Sequence, residues 1–272
     1  MSLFICPVCR ERLSRIDNSL KCINSHSFDI SAAGDVYLLR GSKGVHGDSR
    51  EMVLARRDFL DRGFYSPLRE KLAETAVKYT VDNSVNYFDA GCGTGYYTEG
   101  VANALSERGT VNTVGVDISK DAVKISAKRV KSGEFATASL YDLPIADETF
   151  DIVTNVFSPM ADGELLRIMK TGGVLLYVVP AARHLFSMKR VLYSDPYEND
   201  EVVTEYQGFT HIERIAVESR ATLKQSELSS LFSMTPYFWR TPEEGVKRLQ
   251  SLDSLEVEFS FYIHVYKKIG AV

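Results

Sequence analysis

Tyr87-Phe88-Asp89-Ala90-Gly91-Cys92-Gly93-Thr94-Gly95-Tyr96-Tyr97 is the stretch on which the fold turns. An aromatic, apolar run ends in an aspartate, three glycines follow at alternate positions, and a helical pattern begins. Glycines so placed let a backbone turn sharply after a strand and come close to a bound molecule, with the N-terminus of the next helix directed at it. The dinucleotide fingerprint needs another glycine where Tyr96 stands. The loop is therefore G-x-G-x-G and not G-x-G-x-x-G, which disfavours NAD and FAD.

Outward from the loop, β-branched and aromatic runs alternate with helical patterns. Strands are expected over 85–89, 111–117, 134–138, 150–156 and 173–179, with helices over 97–108, 119–130 and 161–169. Such alternation predicts right-handed crossovers and a mostly parallel, doubly wound sheet. Two late strands are expected at 209–218 and 255–267. In the last, Val257, Phe259, Phe261, Ile263 and Val265 alternate with more polar residues, as suits a pleated strand near the sheet edge. The expected fold class is α/β, a Rossmann-like class I methyltransferase sheet. Asp117 closes the second strand, where a carboxylate can accept both hydroxyls of a ribose. S-adenosylmethionine (SAM) carries an ammonium and a sulfonium in place of a pyrophosphate, and these suit the acidic strand end at Asp89. The candidate cofactor-binding residues on this reading are Asp89, Gly91, Gly93, Gly95 and Asp117.

Before this core stand Cys6, Cys9, Cys22 and His26, in a C-x2-C-x12-C-x3-H spacing. Two short chelating turns a dozen residues apart can surround one zinc ion with thiolate and imidazole, leaving no open position for water, so the expected ion is structural. A module of about 40 residues can hardly fold without such a staple. The fourth cysteine, Cys92, lies in the glycine loop. The expected division is a zinc-binding domain at 1–40, a linker with connecting helices at 41–80, and a catalytic domain at 81–272. The glycine-rich stretch 41–48 is the expected linker, and helices are expected from Arg50 and after Pro67.

With 44% hydrophobic and 25% charged residues among 272, the chain reads as globular, neither disordered nor fibrous. No apolar run approaches the roughly 20 residues that cross a bilayer, so a cytoplasmic protein without a membrane partner is expected. A net charge of -4 excludes a strongly basic nucleic-acid binder but leaves room for a local basic surface. Residues 1–70 carry eleven Lys or Arg against nine Asp or Glu, whereas 71–182 carry ten against fourteen, so a polyanion would sooner touch the front of the chain.

The chain resembles the RlmA family of 23S rRNA (guanine-N1)-methyltransferases over nearly its whole length. The resemblance rests on the N-terminal Cys-Pro-x-Cys, His26-Ser27-Phe28-Asp29, Ala55-Arg56-Arg57-x-Phe59-Leu60, Gly63-Phe64-Tyr65, Gly95-Tyr96-Tyr97-Thr98, Arg183-His184-Leu185 and Met234-Thr235-Pro236-x-x-Trp239-Arg240. It implies zinc on Cys6, Cys9, Cys22 and His26, and cofactor contacts from Tyr65, Tyr97, Thr98 and His184 beside the loop. It also implies a homodimer whose two zinc modules line a cleft for a 23S rRNA hairpin. Thr171 stands where the usual pattern has proline in the turn before the fifth strand.

Methyl transfer from a sulfonium is an in-line displacement, which asks the protein mainly to align the reactants and exclude water. Guanine N1 must also lose a proton, to a carboxylate, a histidine or an ordered water, and no residue in the sequence identifies itself as that base. Asn155 and Ser158 sit where the acceptor is gripped or where a structural turn is built. Phe157, Tyr237, Phe238 and Trp239 are candidates to stack on a splayed base, and Arg40, Arg56 and Arg57 to hold phosphates. Two rivals are a small-molecule methyltransferase, because residues 143–151 also suit quinone-type and sterol-type enzymes, and a non-catalytic adaptor with a decayed cofactor fold.

Overall fold

The computed structural model describes residues 2–41, 47–201 and 203–270; residues 42–46 of the expected linker lie outside the described residues. The chain opens with a small antiparallel sheet of β1 (Ser14–Ile16), β2 (Ser19–Lys21) and β3 (Ser27–Asp29), followed by β4 (Asp35–Tyr37). Helix α1 (Arg50–Asp61) starts beneath Ser49, whose hydroxyl accepts the Met52 amide at 3.3 Å, and buries Val53, Phe59 and Leu60. Helix α2 (Ser66–Lys78) carries Pro67 in its first turn, where the missing N–H costs nothing.

The α/β body then runs β5 (Ser84–Ala90), α3 (Tyr96–Ser106), β6 (Thr110–Asp117), α4 (Lys120–Arg129), β7 (Glu134–Thr137), β8 (Phe150–Val156), α5 (Asp162–Ile168), β9 (Met169–Pro180) and α6 (Phe186–Leu192). It ends with β10 (Phe209–Lys224), α7 (Gln225–Ser233), a 3-10 turn at Pro236–Trp239, α8 (Glu243–Gln250) and β11 (Ser254–Lys268). The strands lie in the order β10-β11-β9-β8-β5-β6-β7-β4. The six from β4 to β9 are mutually parallel, and β11 and β10 close the sheet antiparallel.

Two features depart from expectation. The last strand does not form the edge: β11 lies between β9 and β10, and burial on both faces requires it, since His264 and Tyr266 are buried along with Val257, Phe259, Phe261, Ile263 and Val265. The sheet also has eight strands and not seven. The extra one is β4, from the cysteine module, which pairs Asp35 with Phe135 and Tyr37 with Thr137 of β7. Module and body thus share a sheet and a core, in which Phe4, Cys6, Leu13, Leu20 and Val36 pack with Val116, Leu143 and Ile145. No helix among the described residues is long and apolar enough to cross a membrane.

Candidate cofactor cleft and metal centre

Strand order reverses between β5 and β8 on one side of the sheet and β6 on the other, and the crevice beyond the carboxyl ends of such strands is where α/β sheets bind ligands. The glycine loop lies there. Gly91 has φ +78°, and a Cβ on it would stand 2.5 Å from that of Ser158, so only glycine fits between the β5 and β8 turns. A Cβ on Gly93 would enter open space, leaving the backbone accessible from the crevice. Gly95, also in the left-handed region, opens α3.

Asp117 ends β6 with its carboxylate accepting the amides of Gly93 at 2.9 Å and Ser119 at 2.8 Å. Burial raises its pKa, and the two amides pull the other way. Asp89 is buried more completely and does not open on the crevice: its oxygens accept the hydroxyls of Thr98 and of Thr154 (2.8 Å), and Thr154 is bonded to the Tyr87 hydroxyl. Burial pushes Asp89 up to about 6 despite these partners. It ties the first turn of α3 to β5 and β8 from beneath the loop.

Tyr65, Tyr97 and His184, far apart in sequence, are joined into one aromatic wall by two phenylalanines. The His184 ring is 4.5 Å from that of Phe261, which is 5.0 Å from Tyr65 and 5.4 Å from Phe157, itself 6.3 Å from Tyr97. Burial, with the Lys189 charge nearby, lowers His184 to about 3, so the ring is neutral. Its Nδ1 accepts the Ser260 amide at 3.3 Å, which leaves the proton on Nε2. Phe261 and Phe157 carried no contact expectation to Tyr65 or His184. The β11 alternation could have placed Phe261 on an inward face but not beside His184.

The cleft suits a polar ligand. Among the described residues, the buried hydroxyls without a partner include Thr94 in the loop, Tyr97 in the first turn of α3 and Thr137 at the end of β7. Arg56, expected on the RNA surface, instead pairs with Asp48 and donates to Met234 O at 3.3 Å; burial raises the pKa values of Asp117, Tyr65 and Tyr97, and the Arg56 charge offsets only a small part of this. Arg40 is likewise engaged internally, donating to Pro7 O. Asn155 and Ser158 serve the turn after β8: Asn155 donates to Pro159 O at 3.0 Å and Ser158 to Ala90 O at 2.7 Å. Cys92 is a buried thiol held well above its ordinary pKa by desolvation, and so is inert.

At the front of the chain, the ligand atoms of Cys6, Cys9, Cys22 and His26 all lie within 4.8 Å of one another. Cys9 Sγ is 3.7 Å from Cys22 Sγ, and His26 Nδ1 is 3.5 and 3.4 Å from Cys6 Sγ and Cys22 Sγ. A zinc–sulfur bond of about 2.3 Å gives a tetrahedron with edges of about 3.8 Å, so four donors already stand near the corners one zinc ion requires. Arg10 and Ser25, at φ 63° and 65°, close the two turns.

A sheet in this order, a G-x-G-x-G loop at its reversal and a carboxylate closing the next strand define a class I SAM-dependent methyltransferase, here joined to a structural zinc module. Residues 88–173 match the family model described as "Methyltransferase domain", and residues 4–41 the model described as "RlmA, N-terminal". The chain is 33% identical over 257 residues to the 23S rRNA (guanine(748)-N(1))-methyltransferase of Streptomyces fradiae, covering 92% of this chain and 91% of that one. It is 29% identical to a Bacillus subtilis protein provisionally named a 23S rRNA (guanine-N(1)-)-methyltransferase, covering 94% of both. The demethylmenaquinone methyltransferase of Bacillus pumilus is 27% identical over 58% of this chain and 73% of its own. The solved YcgJ protein of Bacillus subtilis, at 16% identity, superposes with a TM-score of 0.50 over 74% of this chain and 98% of its own, a likeness of fold alone. The chain belongs to the RlmA family of 23S rRNA (guanine-N1)-methyltransferases.

Proposed function

We propose that the protein transfers the methyl group of SAM to N1 of a guanine in a 23S rRNA hairpin loop. The observation that carries this reading is the similarity to the Streptomyces fradiae enzyme over 92% of the chain, metal module and cleft together. The small-molecule alternative is disfavoured because the Bacillus pumilus quinone enzyme matches only 58% of the chain. The adaptor alternative is disfavoured by a cleft that keeps Gly91, Gly93, Gly95 and Asp117.

In this reading Asp117 takes the ribose hydroxyls, the loop backbone of Gly91, Gly93 and Gly95 takes the amino-acid tail, and Tyr65, Tyr97 and His184 enclose the sulfonium end, while Thr98, fully buried and donating to Asp89, supports the loop from beneath and does not touch the cofactor. SAM supplies an activated methyl on a cationic sulfur. The residues set the environment for that charge: His184, neutral, does not repel it, and Asp89, ionised at neutral pH, adds a negative charge under the loop. Guanine N1 is hidden in a duplex, so the base must be splayed from a loop and stacked. Phe157 is suited to that task. It stands at the end of β8, 43% exposed, with a left-handed φ of 56° that a bulky residue holds only when its surroundings impose it. Its backbone amide is pinned to Val178 O at 3.2 Å.

The reading also includes binding of the hairpin between the zinc modules of a homodimer. It is supported by Trp239, 71% exposed, and by Ile23 and Val8, exposed on the two metal turns. The division into 1–40, 41–80 and 81–272 belongs to the proposal as well, with β4 as the strand by which the first unit enters the sheet of the last. An N1-methyl blocks base pairing, so reverse transcriptase should stop one nucleotide short of the target on rRNA from cells carrying the gene and read through in its absence. Unchanged stops after deletion would overturn the assignment.

A further inference from the structure

A cavity of about 140 Å³ opens beside the end of β6, lined on one side by residues 38–41, which leave the metal module, and on the other by Ile118, Ser139 and Asp142, which follow β6 and β7. Ile118 in its lining follows Asp117 directly in the chain, so, if Asp117 takes the ribose as proposed above, this cavity is the space available to the attached purine. Both walls are fastened to the same metal turn. Arg40 donates to the carbonyl of Pro7, between Cys6 and Cys9, at 2.6 Å. Arg10, next to Cys9, pairs with Asp142 and donates to Leu143 O at 2.9 Å. The amide of Ile5 reaches Pro144 O at 2.8 Å, and Phe4 bridges to Ile145.

Arg10 itself is the telling residue. It occupies the left-handed position that closes the Cys6/Cys9 turn, where glycine would sit without strain and an arginine side chain contributes nothing to metal binding. The turn carries that strain, and the side chain reaches across to the cavity wall. The ion pair with Asp142 is half exposed and weak by itself. Its importance is geometric: with the Leu143 bond it fixes the loop after β7 relative to residues 38–41.

We propose that Arg10 and Arg40 are cofactor-positioning residues, holding the two walls of the purine subsite against the metal turn so that the zinc module completes the cofactor site. This rests on the reading of the cleft given above. No side chain of the metal module need touch the transferred methyl; the module acts by setting the width and rigidity of a subsite that the glycine loop alone leaves open on one side.

The decisive variant is Arg10→Gly, which relieves the turn and removes both contacts. Zinc content by mass spectrometry of the native protein and the Tm should be unchanged or higher, while the Kd for S-adenosylhomocysteine by calorimetry should rise about tenfold, because the ligand must then order a wall that is no longer held in place. Arg40→Met, which keeps the aliphatic stem, should weaken binding in the same way, and Arg10→Lys should recover part of the affinity. Asp117→Ala serves as the control on the cleft. If it weakens binding while Arg10→Gly and Arg40→Met leave Kd within a factor of two, the proposal is wrong and the cleft reading stands. If Asp117→Ala also leaves Kd unchanged, both are wrong.

Discussion

Gly93 donates its backbone amide to the Asp117 carboxylate across 2.9 Å, binding the glycine loop to the end of the neighbouring strand. That carboxylate both shapes the loop and, in the proposed reading, faces the ribose. Asp117→Ala should therefore raise the Kd for SAM about a hundredfold, and Asp117→Asn about tenfold, in line with the loss of charge-assisted bonds. Calorimetric titration of each variant checks this, and equal affinities in wild type and Asp117→Ala would remove Asp117 from the site.

Asp89 gives the protein a specific pH signature. Its folded pKa of about 6 lies above the ordinary 3.8, so the folded state holds this proton more tightly than the unfolded chain. The resulting stabilisation is fully present below about pH 4 and is lost as pH rises through about 6. Asp89→Asn abolishes the titration. The stability of wild type relative to Asp89→Asn should fall by roughly 2 kcal/mol between pH 4 and pH 7 in denaturant melts. Parallel pH profiles would show that the carboxyl is not perturbed.

The Tyr97 hydroxyl is buried without a protein partner, and an unsatisfied hydroxyl costs about 1–3 kcal/mol. Tyr97→Phe should thus melt higher than wild type in the absence of cofactor. If the hydroxyl meets the cofactor, the variant should also show a smaller rise in Tm on adding S-adenosylhomocysteine. A variant that melts lower alone, or gains as much from the ligand as wild type, contradicts the assignment.

Phe157 separates acceptor from donor. Base stacking on an aromatic side chain is worth about 1–3 kcal/mol, so Phe157→Ala should lower kcat/KM for a hairpin transcript by roughly 10- to 100-fold, while the Kd for SAM, which meets Phe157 only through the Tyr97 wall, changes by much less than kcat/KM. Phe157→Tyr should retain most of the activity. An unchanged kcat/KM in Phe157→Ala would exclude stacking at this residue.

The residue pattern discloses the parts of the molecule that local chemistry dictates. The strands from β5 to β9 follow from runs of β-branched residues between helical periods, and the metal quartet from two chelating turns. The inward face of β11 follows from a period of two. Long-range partners leave no such trace. Three residues, Asp35 to Tyr37, are too short a run to signal that they pair with β7, and nothing near His184 indicates that Phe261 will lie 4.5 Å from it. Asp89 was legible as an acidic strand end, but its inward orientation depends on Thr98 and Thr154, which approach it only once α3 and β8 are packed. Arg56 shows the same limit: a helix bearing arginines reads as a solvated or phosphate-binding face until Asp48 and Met234 come round to meet it.

The pairing of β4 with β7 has a consequence for biosynthesis. Tyr37 leaves the ribosome about a hundred residues before Thr137, its partner in the sheet. During that interval the N-terminal strands have no α/β body to rest on, and closing so long a loop is entropically slow. A bound metal ion can hold the nascent module in a native-like shape until its docking edge is synthesised. Zinc starvation should accordingly act early, sending newly made chains toward degradation while protein that matured beforehand keeps its activity.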